Sequence, residues 1–190
     1  LKDERAERKS IYLIGDTHFD HANIIKYCRR PFANVEAMNK FLIRSWNVTV
    51  KDRDTVYFLG DWAYGRRSRS AGYWVRHLNG HIFSVNGSHD RGAKGTKFRV
   101  LHYAGYSFLL IHDPSEKPKD WYGWVIHGHV HNNSLKDYPF INGERRTINV
   151  SVELIDYKPL NIDFLLALNI DSIRRMKTSR DAPERWEAPF

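Results

Sequence analysis

Short apolar, β-prone runs recur through the first two-thirds of the chain, and most of them stop at an aspartate or a histidine. Residues 11–14, 55–59 and 82–85 read as short buried strands, apolar on both faces. Residues 98–103 and 106–111 read as two more, with Ala104-Gly105 as the hairpin turn between them. Residues 124–126 and 147–155 complete the strand series. Helical spacing enters at residues 35–46, where Val35, Met38, Leu42 and Trp46 share one face and Asn34 stands as the N-cap. A second helix is expected over residues 70–79, stopped by Gly80. Residues 161–176 read as a third helix. This order, parallel-type crossovers first and hairpins later, predicts an α/β or α+β sandwich with a mixed sheet.

No repeat, low-complexity tract or linker interrupts the pattern. Residues 10–178 are therefore expected as one domain, between a polar extension over residues 1–9 and a frayed tail over residues 179–190. A chain of 190 residues can bury a substantial core by itself. No apolar run approaches the roughly 18 to 20 residues that span a membrane. The polar start has no apolar stretch of the kind a secretory signal carries. Cys28 is the single cysteine, which excludes an internal disulfide and makes a reducing, cytoplasmic compartment the expectation.

The strand ends carry the chemistry. Gly15-Asp16-Thr17-His18, Gly60-Asp61, Gly87-Ser88-His89-Asp90, His112 and Gly128-His129-Val130-His131 each follow a strand-like run. Ligand sites in α/β sheets collect beyond the carboxyl ends of the strands, where these residues fall. Asp16 and His18 lie two apart, as do His129 and His131, so each pair projects to one side if extended geometry persists. Carboxylates and imidazoles without a thiolate suit Mn, Fe, Zn, Co or Ni. Asp16, His18, Asp61, His112, His129 and His131 are too many for one four-coordinate ion with an open position. They fit two divalent ions about 3.5 to 4 Å apart, sharing a carboxylate. His89, beside the metals but not a ligand, could protonate a leaving oxygen, with Asp90 orienting it and helping to keep it charged.

Thirty basic against twenty-two acidic residues give a net charge of +8. That balance favours anionic partners such as phosphates, nucleotides and nucleic acid, although a merely solubilising surface reads the same way. Arg66, Arg67 and Arg69 form the one basic cluster close in sequence to the proposed site.

The series GDTH, GD, GSHD, H and GHVH resembles the motif order of the calcineurin-like metallophosphoesterase superfamily. Residues 16–25, Arg30-Pro31-Phe32, Trp46-Asn47, Thr55-Val56-Tyr57 and the stretch 149–159 are similar to a small bacterial and bacteriophage branch of it. The resemblance implies a four-layer αββα sandwich of two mixed sheets flanked by helices, with a dinuclear centre at the strand tips. It implies that Asp16, His18 and His131 hold one metal and that Asp61 bridges. His112, His129 and residue 88 would hold the second metal, with His89 as the catalytic histidine and Mn as the expected metal. The family pattern has asparagine where this chain has Ser88. A serine hydroxyl reaches less far than an amide oxygen, so Ser88 would bind at a strained distance or through water and weaken the second metal. It is open whether this is a natural variant or an introduced substitution.

Other residues carry lesser expectations. His21 and Arg91 are candidate substrate contacts, and Asn23 is expected to cap the following helix. His127 is expected as a strand residue, while His77, His81 and His102 default to structural or surface roles. Trp62, Tyr64, Trp121, Tyr122 and Trp124 form a candidate base-stacking wall. The leading expectation is a phosphodiesterase acting on a nucleotide, a 2',3'-cyclic nucleotide or a short nucleic-acid segment by in-line attack of a metal-bound hydroxide. Phosphomonoester hydrolysis and a non-catalytic binding scaffold are the alternatives, and no membrane partner is expected.

Overall fold

The computed structural model describes residues 9–90 and 94–183. Its first sheet has the order β3-β2-β1-β9, built from β1 (Ile11–Ile14), β2 (Thr55–Phe58), β3 (His81–Ser84) and β9 (Leu160–Asn161). Strands β1, β2 and β3 are parallel, in the register Ile11–Thr55–His81, and β9 adds antiparallel to β1. The second sheet has the order β10-β7-β8-β6-β5-β4. It comprises β4 (Phe98–Tyr103), β5 (Tyr106–Ile111), β6 (Trp124–His127), β7 (Ile141–Asn142), β8 (Thr147–Asn149) and β10 (Arg175–Met176). Strands β5, β6 and β8 run parallel, while the β4–β5 hairpin turns at Ala104 and Gly105, both at positive φ as such a turn demands. The architecture is thus α/β, with two mixed sheets flanked by helices.

One apolar core joins the two sheets. Leu13 and Ile14 of β1, Val56 and Phe58 of β2, Phe108 and Leu110 of β5 and Ile126 of β6 are all buried in it. Strand alternation sends Leu109, Ile111 and Val125 to the opposite face, where Trp121 covers them. Among the described residues the α-helices are α1 (Ala22–Tyr27), α2 (Val35–Thr49), α3 (Ala71–Val75) and α4 (Ile162–Ala167). Asn34 caps α2 by accepting from the Ala37 N–H at 2.8 Å, and Met38, Leu42 and Trp46 form the buried face. Among the described residues, no helix is long and apolar enough to cross a membrane.

Three expectations need correction. The helix beginning at Ser70 ends at Val75, because Asn79 is tied to Asn47 and to the Val50 carbonyl and pulls the chain into a turn. The strand beginning at Thr147 stops at Asn149, whose side chain donates to the carbonyls of His131 and Tyr138; a 3-10 turn follows at Val152–Leu154. The expected helix over 161–176 is broken by Asn169 at φ 52, and Arg175–Met176 leaves it to pair with β7. Local apolar spacing was overridden there by an open sheet edge.

Candidate metal centre

The backbone leaves β-geometry as it reaches the site. Asp16, His18, Asp61, His129 and His131 have φ values of 58, 48, 62, 72 and 49. Left-handed conformations at non-glycine residues cost about 1–3 kcal/mol each and persist where neighbours over-determine them. The determinants are visible: Asp16 N–H donates to the Gly60 carbonyl at 2.9 Å, His18 N–H to that of Asp61 at 3.1 Å, and Phe19 N–H to that of Trp62 at 2.8 Å. Persisting strand alternation therefore does not align Asp16 with His18, or His129 with His131. Successive left-handed turns do.

Two groups of ligand atoms converge: Asp16 with His18 and His131, and Asp61 with His112 and His129, each within 4.8 Å. Asp61 Oδ2 lies between them, 3.5 Å from His18 Nε2 and 3.4 Å from His112 Nε2. Its other oxygen accepts the His89 N–H at 2.8 Å. His18 Nε2 is buried and makes no hydrogen bond. A buried ring nitrogen without a hydrogen bond, five ligand residues at positive φ and an all nitrogen–oxygen donor set fit divalent cations of borderline hardness.

The charge pattern supports the same reading. Burial, then the neighbouring His131, depresses His18 to about 2, so its ring is neutral and free to donate electrons to a cation. Burial pushes Asp61 upward, but His112 and His18 outweigh it and hold the carboxylate ionised. His112 and His131 resist the lowering effect of burial because Asp61 and Asp16 face them, and rise to about 9 and about 11. Those protonated rings stand where a cation would replace the proton.

A set of residues behind the ligands went unassigned at the level of sequence. Arg30, fully buried, donates to the Asp16 carbonyl at 2.7 Å and the Thr17 carbonyl at 2.8 Å, and pairs with Glu153 at 2.7 Å. Glu153 in turn faces His131 Nδ1 at 3.0 Å. Cys28, His131 and Glu153 also converge, but Arg30 already neutralises that carboxylate. Ser151 Oγ meets Asp16 Oδ2 at 2.7 Å, and His112 Nδ1 meets the Leu59 carbonyl at 2.8 Å. Such contacts orient metal-binding groups. The available signal was a lone glutamate inside the apolar run 152–155, and an arginine within a stretch already noted for its resemblance. Two glycines answer to space: a Cβ at Gly87 would overlap Asp61 Oδ1, and one at Gly128 would overlap Asp16 Oδ2.

The remaining candidates fall into place around this centre. Ser88 is exposed, with Oγ 3.2 Å from Asp61 Oδ2. His89 reaches the same oxygen at 3.9 Å from the rim, its side chain 37% exposed. Asp90 does not orient His89: its carboxylate accepts the N–H groups of Asp61 at 2.7 Å, Trp62 at 2.9 Å and Gly87 at 2.9 Å, clamping two site loops together. His21 lies against His18, Nδ1 to Nδ1 at 3.4 Å. Burial and Arg30 hold His21 near 4. Arg91 lies outside the described residues. Asn23 sits inside α1 rather than capping it, because His21 occupies the cap position. The candidate aromatic wall does not form one surface: Trp62 stacks on Phe58 at 3.5 Å and Trp124 is buried, Trp121 covers Val125, Tyr122 is exposed away from the pocket, and of the five only Tyr64 borders the site. His127 is a buried strand residue, as expected.

Two neighbouring groups of nitrogen and oxygen donors at the strand tips of a double sheet are candidate metal-binding groups, and the family of the chain is shown by comparison with known proteins. The model of the calcineurin-like phosphoesterase family matches residues 9–187, and the chain belongs to that family. An uncharacterised protein of Methanocaldococcus jannaschii is 51% identical over 175 residues, spanning 91% of this chain and 98% of its own length. This archaeal relative extends the resemblance beyond bacteria and their phages. A solved protein of unknown function from Aquifex aeolicus is 26% identical, with a TM-score of 0.66 over 85% of this chain and 100% of that one. The E. coli phosphoesterase Yfce shares 12% identity and a TM-score of 0.41 over 75% of this chain and 78% of its own, too remote to bear on the site.

Proposed function

We propose that the chain is a dinuclear-metal phosphodiesterase of nucleotides or short nucleic-acid segments, rather than chiefly a phosphomonoesterase. The observation that carries it is Asp61 Oδ2, set between two ligand groups and within 3.9 Å of His89 Nε2. Asp16, His18 and His131 would hold one cation, His112 and His129 the other, with Asp61 between them and Ser88 a weak contact to the second. Such ions, Mn foremost, lower the pKa of a water and neutralise charge on phosphoryl oxygens.

The chain's own groups do the rest. Asp90, Arg30 and Ser151 hold the loops and carboxylates in one arrangement, so little reorganisation accompanies reaction. His89, at the rim and outside both ligand groups, delivers a proton to the departing ester oxygen. The net charge of +8 draws in an anionic ester.

A screen of bis-p-nitrophenyl phosphate, p-nitrophenyl phosphate and 2',3'-cyclic nucleotides with Mn is expected to show preference for the diesters. Absence of turnover of all three, by the Ser88→Asn variant as well, would overturn the enzyme reading. Ser88 favours the second reading, a binding scaffold. Unchanged nucleic-acid affinity in His89→Ala, with hydrolysis in neither protein, would select it.

A further inference from the structure

A cavity of about 460 Å³ opens directly over Asp61, His18 and His131. One of its walls is aromatic. Tyr64 is 44% exposed and Tyr27 65% exposed, although tyrosines of a compact domain bury most of their ring when a core position is open. His21 stands between them, its ring 4.6 Å from Tyr64 and 6.1 Å, edge-on, from Tyr27. Tyr64 also lies 4.3 Å from the His89 ring. The wall therefore begins one ring away from the group placed beside the leaving oxygen.

The wall is built rather than incidental. Tyr64 N–H donates to the Phe19 carbonyl at 3.2 Å, and Ala63 bridges Phe19, fixing the loop after Asp61 against the loop after Asp16. His21 N–H donates to the His18 carbonyl at 3.1 Å, and Ile24 anchors α1 in the core beneath Tyr27. Single exposed tyrosines need no explanation, but two of them flanking one imidazole at the mouth of one charged pocket form a contiguous apolar face. Planar rings stack on such faces without regard to their hydrogen-bonding edges.

We propose that Tyr64, with His21 and Tyr27, is a stacking shelf that selects phosphoesters carrying a nucleobase close to the reacting phosphorus. This rests on the phosphoesterase reading and narrows it: the base lies on the shelf while the phosphate sits over Asp61. A purely electrostatic site would take abasic sugar phosphates equally well.

The test compares adenosine 2',3'-cyclic phosphate with ribose 2',3'-cyclic phosphate, the same reacting group without the base. The wild type with Mn is expected to favour the adenosine ester in kcat/KM by about tenfold or more. Tyr64→Ala is expected to shrink that ratio by about 5- to 100-fold, and Tyr64→Phe to preserve it. In parallel, AMP and ribose 5-phosphate are titrated into protein held metal-free with EDTA, by NMR. AMP is expected to bind more tightly and to shift Tyr64, Tyr27 and His21. Hydrolysis of both esters at equal kcat/KM, or a ratio that survives Tyr64→Ala, overturns the shelf and leaves the phosphoesterase reading standing. Hydrolysis of neither ester counts against the phosphoesterase reading, and the titration then decides the shelf: equal affinity for AMP and ribose 5-phosphate overturns it, and base-dependent shifts at Tyr64 support it.

Discussion

Replacing Glu153 by glutamine keeps the shape of the side chain and removes its charge, which isolates what that charge does. Arg30 is 0% and Glu153 2% exposed at the side chain, and their closest approach is 2.7 Å. In Glu153→Gln the guanidinium keeps the carbonyls of Asp16 and Thr17 but loses its counter-charge. Removing one partner of a buried pair destabilises a protein by about 3–5 kcal/mol, because the other charge is left without compensation. For a chain of this length that corresponds to a fall in Tm of about 6–20 °C. Arg30→Met should lose somewhat less, because the His131 ring at 3.0 Å still faces Glu153. The double variant Arg30→Met/Glu153→Gln leaves neither charge uncompensated, so its loss should undershoot the sum of the singles by at least about 1–3 kcal/mol. Urea unfolding of the metal-free proteins at pH 7 measures all four corners of the cycle. A single-variant loss below about 1 kcal/mol, or strict additivity in the double, would refute the argument that this pair holds the Asp16 loop.

Three further predictions concern the centre itself. Gly128→Ala forces the Asp16 carboxylate aside, and calorimetric titration should show affinity for one cation weakened about 10- to 100-fold. Ser88→Asn should tighten the second cation, and identical stoichiometry and affinity in both proteins would count against a ligand role for position 88. Burial holds His127 near 4, against an ordinary value of 6.5. Because its folded value is the lower one, the unfolded chain binds the extra proton between these limits. Stability at this residue is therefore intact above pH 6.5 and falls by about 3 kcal/mol as pH drops through 4. Urea midpoints of metal-free wild type and His127→Gln between pH 7 and 4.5 should converge, whereas parallel curves would remove His127 from the account.

Strands β1 to β6, the α2 helix with its Asn34 cap, and the ligand series were legible because each rests on local spacing, whereas the two-residue strands β7, β9 and β10 carry no such pattern. The geometry that brings the ligands together was not. Asp16 and His18 converge through left-handed turns that a strand-alternation rule cannot anticipate, and the determinants of those turns are carbonyls of Gly60, Asp61 and Trp62. Glu153 was missed because its meaning depends on Arg30, 123 positions away in the chain. Asp90 was assigned to the wrong partner because adjacency to His89 suggested contact, while its oxygens turn to the backbone. The aromatic wall was misjudged for a related reason: composition shows where rings occur, and only packing separates Trp62 in the core from Tyr64 at the rim.

The Asp16 carboxylate is held by groups far along the chain, the His129 N–H at 3.1 Å and the Ser151 hydroxyl at 2.7 Å, 113 and 135 residues distant. During synthesis, the loop carrying Asp16 and His18 emerges long before the residues that fix the Asp16 carboxylate. Contacts of such sequence separation form late, since loop closure must precede them. Metal capture at this triad should then mark the completion of folding rather than seed it, and a ribosome-bound chain stopped short of Ser151 should show weakened binding there.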